Sequence, residues 1–490
     1  NIDRIAHEGV VSTRFHTAAP ACTPSRYSYL TGLFPGHCPS PRFRAESPEG
    51  RPYSVGFNVD LLPGQPSLPR LFRDAGYVTG YTGKWHVGTP RSGFNGHRFN
   101  ADDDPDDPEV RRKLEEDYEA MCEQVRGCGF DVADAIAWGN TDNRPIKRLQ
   151  YHNLEWHTDA ALRFIEQSAR GDKPFFLTMA TTTMHGPHHV QSLETDGRET
   201  EVGLLDRMPD VQPSRESVFQ RIKDAGMAVD HHTAGALWMD DAFGAVMQKV
   251  ENLGLGEDTI IIWSTDHGMG TISAKMTLYQ GGVRIPYCMR WPGRIPAGST
   301  CDALIENVDF LPTVCEMAGI DVPADMPQDG MSRWKQLCGR AGDDREDMYF
   351  EWGLTRAVRT QRWKYIAWRH RPEELENMKS GKVRSAYSYR GGTGGNFAMH
   401  MHPSYFEPDQ LFDLENDPGE QNNLAADPAY AEVLVDMQRR LQRYLDRFDR
   451  PFDVESVDPF LQTAAYRALT EASLADETPY NWYFYKEKAY

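Results

Sequence analysis

Three short apolar runs, Tyr77 to Thr82, Phe175 to Ala180 and Thr259 to Ser264, each follow an amphipathic helical stretch and each open into a polar loop. This alternation constrains the fold more than any other feature, because strands that are apolar along both faces must be covered on both sides. Ser67 to Ala75 places Leu68, Leu71, Phe72 and Ala75 on one helical face, with Gly76 as its stop. Asn153 to Ala169 and His232 to Leu253 repeat the pattern ahead of the second and third strands. The expected fold is α/β, with a large mixed, mostly parallel sheet sandwiched by helices. In such a sheet ligands gather beyond the carboxyl ends of the strands, so chemistry is expected in the loops after Thr82, Ala180 and Ser264.

The texture changes near residue 340, which divides the chain into an expected catalytic domain, 1–340, and a smaller C-terminal α+β domain, 341–490. In the second part Glu351 to Trp368 reads as hairpin-linked strands and Asp427 to Phe448 as an amphipathic helix, with an aromatic-rich tail packing on the body. Gly391 to Gly395 reads as a flexible loop, beside a basic stretch at Arg369, Arg371, Lys379, Lys382 and Arg384 that suits either further anionic groups of a substrate or a solvated surface. At the other end, Asn1 to Gly9 reads as a helix entered part-way, with Gly9 as its stop.

With 53 Lys+Arg against 72 Asp+Glu, the net charge of −19 argues against a general nucleic-acid binder. No apolar run approaches the ~18–20 residues of a membrane-spanning helix. The eight cysteines are scattered without a C-x-x-C pair, which excludes the usual zinc spacing and leaves disulfides unread. Ala101 to Asp107 is acidic but lacks the glycine-turned ligand ladder of a calcium loop.

The residues with chemical character cluster at the ends of the expected strands and at one helix start. In Cys22-Thr23-Pro24-Ser25-Arg26, Pro24 fits a first helical turn, so Cys22 lies where free N–H groups favour negative charge, with Arg26 a turn away. That suits an activated cysteine, or a buried structural one. Lys84 and His86 share a glycine-bounded loop, Gly83 to Gly88, and can converge on one anion. His185 precedes Gly186-Pro187 after the second strand, with His188 and His189 close enough to compete for its role. Asp266 and His267 end the third strand and offer a carboxylate and an imidazole to a metal. Lys275 follows, and then Tyr279-Gln280-Gly281-Gly282-Val283-Arg284-Ile285-Pro286.

Taken together these segments resemble the type I sulfatases of the alkaline-phosphatase superfamily. Cys22-Thr23-Pro24-Ser25-Arg26 with Leu30-Thr31-Gly32 looks like the family's first signature, and Gly76 to Gly88 is similar to the second along its whole length. The site at His185, the pair Asp266-His267, Lys275 with its Y-x-G-G-x-R-x-P segment, and stretches from Arg356 to Asn423-Leu424 follow in the family's order.

The resemblance implies that a formylglycine-generating enzyme oxidises Cys22 to formylglycine, whose hydrated form attacks the sulfur of a sulfate ester. A divalent cation, Ca²⁺ or else Mg²⁺ or another, would be held by Asp266, His267 and the Cys22 position. Arg26, Lys84 and Lys275 would supply positive charge, His185 would protonate the leaving alcohol and His86 would serve as the base that releases sulfate. Arg284 is expected to be structural. The implied substrate is a small-molecule or oligosaccharide sulfate ester, with sulfated carbohydrates the first class and aryl or alkyl sulfates the next. A phosphonate monoester or phosphodiester hydrolase of the same superfamily, and an inactive ligand-binding relative, stand as alternatives. The family's first strand ends in two adjacent aspartates, both metal ligands, and has no counterpart between Asn1 and Tyr490. We expect that strand, and an export signal directing the protein to a periplasmic, secreted or lysosome-like compartment, upstream of Asn1.

Overall fold

The structure, a computed structural model, describes residues 1–88, 95–268, 274–382 and 398–475. The glycine-rich loop at Gly391 to Gly395, Arg384 and the aromatic end of the tail lie outside the described residues.

Helix α1 (Ile2–His7) leads into strand β1 (Val10–Ser12), and helix α2 (Cys22–Thr31) follows. Gly9 does not end α1 through a left-handed cap. It sits beneath the Met289 carbonyl, where a Cβ would come within 2.0 Å of the oxygen, so its role is close approach of two strands. Helix α3 (Leu68–Asp74) does end as expected: Gly76 adopts φ +93°, and the Tyr77 N–H reaches back to the Phe72 carbonyl at 3.0 Å.

Strand β2 (Val78–Lys84), helix α4 (Pro108–Gly127), strand β3 (Val132–Ala137), helix α5 (Leu154–Ala169) and strand β4 (Phe175–Ala180) form the parallel part of the fold. The order is β3-β2-β4, with Val78 opposite Phe175 and Gly80 opposite Val132 and Leu177. Helix α5 covers this sheet, and Gly80 makes room for it, since a Cβ there would lie 2.4 Å from the Phe164 ring. Helix α6 (His189–Glu194) and the long helix α7 (His231–Asn252) follow. Asp230 caps α7 through the N–H groups of His232 and Thr233, both at 2.9 Å.

Strands β5 (Ile261–Ser264), β6 (Tyr287–Arg290) and β7 (Ser299–Cys301) join β1 in a second, mixed sheet of order β7-β1-β6-β5. Only the β1–β7 pair in it is parallel. The expectation of one large, mostly parallel sheet therefore needs correction: among the described residues the strands form separate ladders. The reason is local. Strands β4 and β5 are both edges, no described strand bridges them, and all six residues of β4 remain half-buried.

A four-stranded antiparallel meander closes the described chain: β8 (Met348–Trp352), β9 (Thr355–Arg359), β10 (Trp363–Trp368) and β11 (Asp409–Asp413), with helix α8 (Ala431–Leu445) beside it. Met437, Leu441 and Leu445 of α8 share one apolar core with Tyr27 and Leu30 of α2 and with Tyr349 and Val358. The helix that carries Cys22 is thus anchored against the meander. Within the basic stretch, Arg369 is buried on the Asp409 carboxylate at 2.7 Å and Lys379 pairs with Asp458 at 3.1 Å, so both serve the fold. All eight cysteines are buried and free. Among the described residues no helix is long and apolar enough to cross a membrane.

Four buried histidines make the fold acid-sensitive. Burial pushes His157 down to about 4, His152 and His189 down to about 3, and His16 well below the usual range. In the unfolded chain these rings titrate near about 6.5. Between that value and the folded ones the unfolded state binds more protons, so stability is full above about pH 6.5 and falls as the pH drops. The melting temperature should decrease steadily from about pH 7 to about pH 4. A flat profile would mean that the folded rings take up protons freely.

Candidate active site

Helix α2 starts at Cys22 because Ala21 is extended (φ −149°, ψ 156°) and Pro24, which has no N–H to leave unpaired, suits the first turn. Gly32 at φ +72° ends it. Cys22 is 2% exposed, at the positive end of the helix. Its Sγ lies 3.1 Å from His267 Nε2 and receives Lys84 Nζ at 3.5 Å. Burial opposes ionisation of the thiol, yet Lys84, Lys275 and His267 together hold it well below the usual cysteine range.

Lys84 is brought in by a backbone device. Gly83 takes φ +90°, and a Cβ there would lie 1.9 Å from the Ala180 carbonyl oxygen, so only glycine lets the ends of β2 and β4 meet. Lys84 is then 4% exposed and donates to Asn140 Oδ1 at 2.6 Å. Burial lowers its pKa, and the Arg26 and Lys275 charges act in the same direction. His86 adopts the left-handed region at φ +51° and stacks on Phe57, with ring centroids 5.9 Å apart. Its buried Nδ1 has no hydrogen-bond partner among the described residues. An orphaned ring nitrogen beside charged groups suits a ligand or a proton transfer. Burial, followed by Lys84, keeps this ring neutral.

The other wall is the loop after β5. Gly268 lies against Gly281, where a Cβ would come 1.8 Å from the carbonyl oxygen, and Gly282 lies against the Ala274 and Thr277 carbonyls, both 2.3 Å from a Cβ there. The adjacent glycines of Gln280-Gly281-Gly282 therefore let two loops pack backbone to backbone. His267 Nδ1–H donates to the Gly268 carbonyl at 2.7 Å, which leaves Nε2 to face Cys22, where it can carry a proton towards the thiolate or give that place to a metal. Asp266 accepts from Arg26 Nε at 3.1 Å and lies 3.4 Å from His267 Nε2. Burial raises its pKa, but His267, Arg26 and Lys84 more than offset that and hold it below the usual carboxylate range.

Arg26 also donates to the Tyr81 hydroxyl at 3.1 Å and the Lys84 carbonyl at 2.6 Å, so it ties three segments together and meets Asp266. His185 lies on the loop after β4, with Nδ1–H directed to the Gly186 carbonyl at 3.1 Å. Burial first, then the Lys84 and Lys275 charges, keep its ring neutral; the Cys22 charge acts the other way. Lys275 is half-buried and its charge reaches both Cys22 and His185. Arg284 is exposed and donates to the Thr13 carbonyl at 3.0 Å, in keeping with a structural role.

Two site residues escape a reading of the sequence. Asn140, the partner of Lys84, follows β3, a strand disguised by Asp134 in its middle, although a loop beyond a parallel strand was the place to look. Asn307 is buried, accepts the Ala18 N–H at 2.9 Å and donates to the Ser25 carbonyl at 3.1 Å, fixing the start of α2. Nothing local in the sequence marks it.

One Asp266 oxygen, one His267 nitrogen and Cys22 Sγ all lie within 4.8 Å of one another. A hard carboxylate, an imidazole with its Nε2 already directed, and a third position that becomes oxygen if Cys22 is oxidised make a donor set that fits a divalent cation.

Cys22 at a helix start, Lys84, Lys275, the neutral rings of His86 and His185 and the Asp266–His267 pair together suit the binding and hydrolysis of an anionic ester. Residues 1–320 match the family described as Sulfatase, and residues 268–382 match N-sulphoglucosamine sulphohydrolase, C-terminal. The chain belongs to the sulfatase family and is a sulfuric ester hydrolase. It is 29% identical over 480 residues to Arylsulfatase G of Homo sapiens, covering 90% of this chain and 81% of that protein. It is 25% identical over 485 residues to the Ulvan-active sulfatase of Formosa agariphila, covering 95% and 79%. Among solved structures, one in complex with its substrate D-glucosamine-2-N,6-O-disulfate shares the fold at a TM-score of 0.57 and 19% identity, over 91% of this chain and 92% of that one.

Proposed function

We propose that this chain hydrolyses the sulfate ester of a carbohydrate, with Cys22 converted to formylglycine as the nucleophile. The observation that carries the reading is the convergence on Cys22 Sγ of Lys84 Nζ at 3.5 Å and His267 Nε2 at 3.1 Å, in a sequence context that leaves Cys22-Thr23-Pro24-Ser25-Arg26 intact. Relatives named for ulvan and for N-acetylgalactosamine 6-sulfate, together with the sulfated glucosamine bound by the structural neighbour, support a sugar substrate.

Asp266, His267 and the Cys22 position would hold a divalent cation, Ca²⁺ by the oxygen character of the matured donor set, which supplies positive charge to the nucleophile and the sulfuryl oxygens. Lys84 and Lys275 bind and orient the sulfate, in a buried pocket where fixed charge acts strongly. Asn140 holds Lys84 in place. Burial first, and then the two lysine charges, depress the His185 pKa; a bound anion opposes the lysine part, and His185 in its protonated form would pass its proton to the leaving oxygen. His86, neutral and with an unpaired Nδ1, takes the proton of the second hydroxyl at the Cys22-derived residue; sulfate then leaves and the aldehyde reforms.

The two histidines can be separated by leaving group. A nitrophenolate departs without a proton and a sugar alkoxide does not, so His185→Ala should cost about 10²–10⁴-fold on a carbohydrate sulfate and much less on an aryl sulfate. Since the protonated ring is the active form, turnover of the sugar sulfate should be lost as pH rises, while that of the aryl sulfate should not show this limb. His86→Ala should release one equivalent of alcohol rapidly and then stall, leaving a sulfated Cys22-derived residue visible by mass. Equal losses for both variants on every leaving group, with nothing trapped, would show that the histidines only bind sulfate. An aryl phosphodiester turned over faster than the aryl sulfate would favour the phosphodiesterase alternative.

A further inference from the structure

We propose that His152 and His189 are positioning residues for His185, two buried rings that together fix the backbone of the loop carrying it. The inference rests on the reading of His185 as the leaving-group acid and names what sets its geometry. Both residues are buried, at 2% and 0% exposure.

The loop between β4 and α6 is bonded by these rings at its start, middle and end. His152 Nε2–H donates to the His185 carbonyl at 3.0 Å and to the Pro187 carbonyl at 3.2 Å, while its Nδ1 accepts from the Thr182 hydroxyl at 2.9 Å. His189 Nε2 accepts the Met184 N–H at 3.1 Å, and its Nδ1–H donates to the His231 carbonyl at 2.7 Å. Met184 sits at φ +68°, a left-handed backbone that an unbranched L-residue adopts only when its surroundings hold it. The N–H so held is adjacent to His185 in the chain.

The partners dictate opposite tautomers. Two carbonyls require the proton of His152 on Nε2, and an amide N–H on one side with a carbonyl on the other requires that of His189 on Nδ1. Each ring has both nitrogens engaged, and burial keeps both rings neutral down to about pH 3.

An independent feature shows that the fold makes room for this arrangement. Gly235 lies inside α7, where glycine is disfavoured relative to alanine. A Cβ at Gly235 would be 2.2 Å from His189 Nδ1 and 2.5 Å from its Cε1. The absent side chain is the space the ring occupies, and the ring stacks on His231 at 4.0 Å with planes 1° apart.

The test uses the matured enzyme with a carbohydrate sulfate and a nitrophenyl sulfate. His152→Phe should lower kcat on the carbohydrate sulfate by about 10- to 100-fold, the range for lost supporting bonds, with a much smaller loss on the nitrophenyl sulfate and little change in KM. His152→Gln, whose amide can restore an N–H near the two carbonyls, should recover most of the loss. Combined with His185→Ala, His152→Phe should have no further leaving-group effect. Gly235→Ala, which touches no catalytic group, should reproduce the selective loss and serves if His152→Phe fails to fold.

Equal losses on both substrates for His152→Phe and Gly235→Ala, or full additivity with His185→Ala, would overturn the positioning role. Failure of the His185 reading is a separate result, since it appears in His185→Ala alone as an absence of leaving-group dependence.

Discussion

Cys22→Ala should abolish sulfate ester hydrolysis while leaving the melting temperature close to that of the parent. The variant removes the nucleophile position and keeps a small apolar side chain at the first residue of α2, whose other supports, Asn307 on Ser25 and Gly32 at the far end, are untouched. The remaining lysines and the carboxylate–imidazole pair can still bind sulfate, but binding alone leaves the barrier to S–O cleavage in place. Peptide mass spectrometry of active parent protein should show the mass loss of a thiol-to-aldehyde conversion at Cys22. Full activity in material that carries only the thiol would end the formylglycine mechanism.

The second large effect is expected at Asp266. Its carboxylate accepts from the Arg26 guanidinium and belongs to the three-residue donor set, so Asp266→Asn removes a charge and a hard ligand with little change of shape. Turnover should fall by about 10³-fold or more, and bound divalent metal should drop in parallel. Exhaustive chelation of the parent protein should lose activity to a similar extent, with recovery on adding Ca²⁺. Retained activity after metal removal would contradict the assignment. Asparagine is preferred to alanine here, because an empty space beside Arg26 would leave a buried cation unpaired and confuse loss of function with loss of fold.

Most of the candidate site is legible in the sequence because it is written in short stretches, which the fold brings together. Gly83-Lys84 and Asp266-His267-Gly268 each carry a candidate group with its glycine beside it, and Gln280-Gly281-Gly282 supplies the glycines that face the second of them. Periodicity likewise places α3, α5 and α7 within a residue or two of their observed ends. What is not legible is tertiary. Asn140 and Asn307 act through bonds to residues 56 and 282 positions away, and neither has a local pattern. The division of the expected parallel sheet into separate ladders is equally hidden, since an apolar strand reads the same whether its second edge is paired or not. Gly9 shows the converse error: a glycine after a helix reads as a stop, and here it is a site of close contact with Met289.

The burial of eight free cysteines has a practical chemical consequence. Burial pushes the thiols of Cys38 and Cys301 up, those of Cys122, Cys128 and Cys315 up to about 12, and that of Cys288 up to about 11. Cys22 is driven the other way: its burial is outweighed by Lys84, Lys275 and His267. Alkylating reagents attack thiolates, so at neutral pH an iodoacetamide-type probe should favour Cys22 over those six thiols. If Cys22 matures to the proposed aldehyde, that position should no longer react as a thiol and should instead take up hydrazides. The same pocket charge that would serve turnover thus makes the immature and mature forms of the protein separable by a pair of labels.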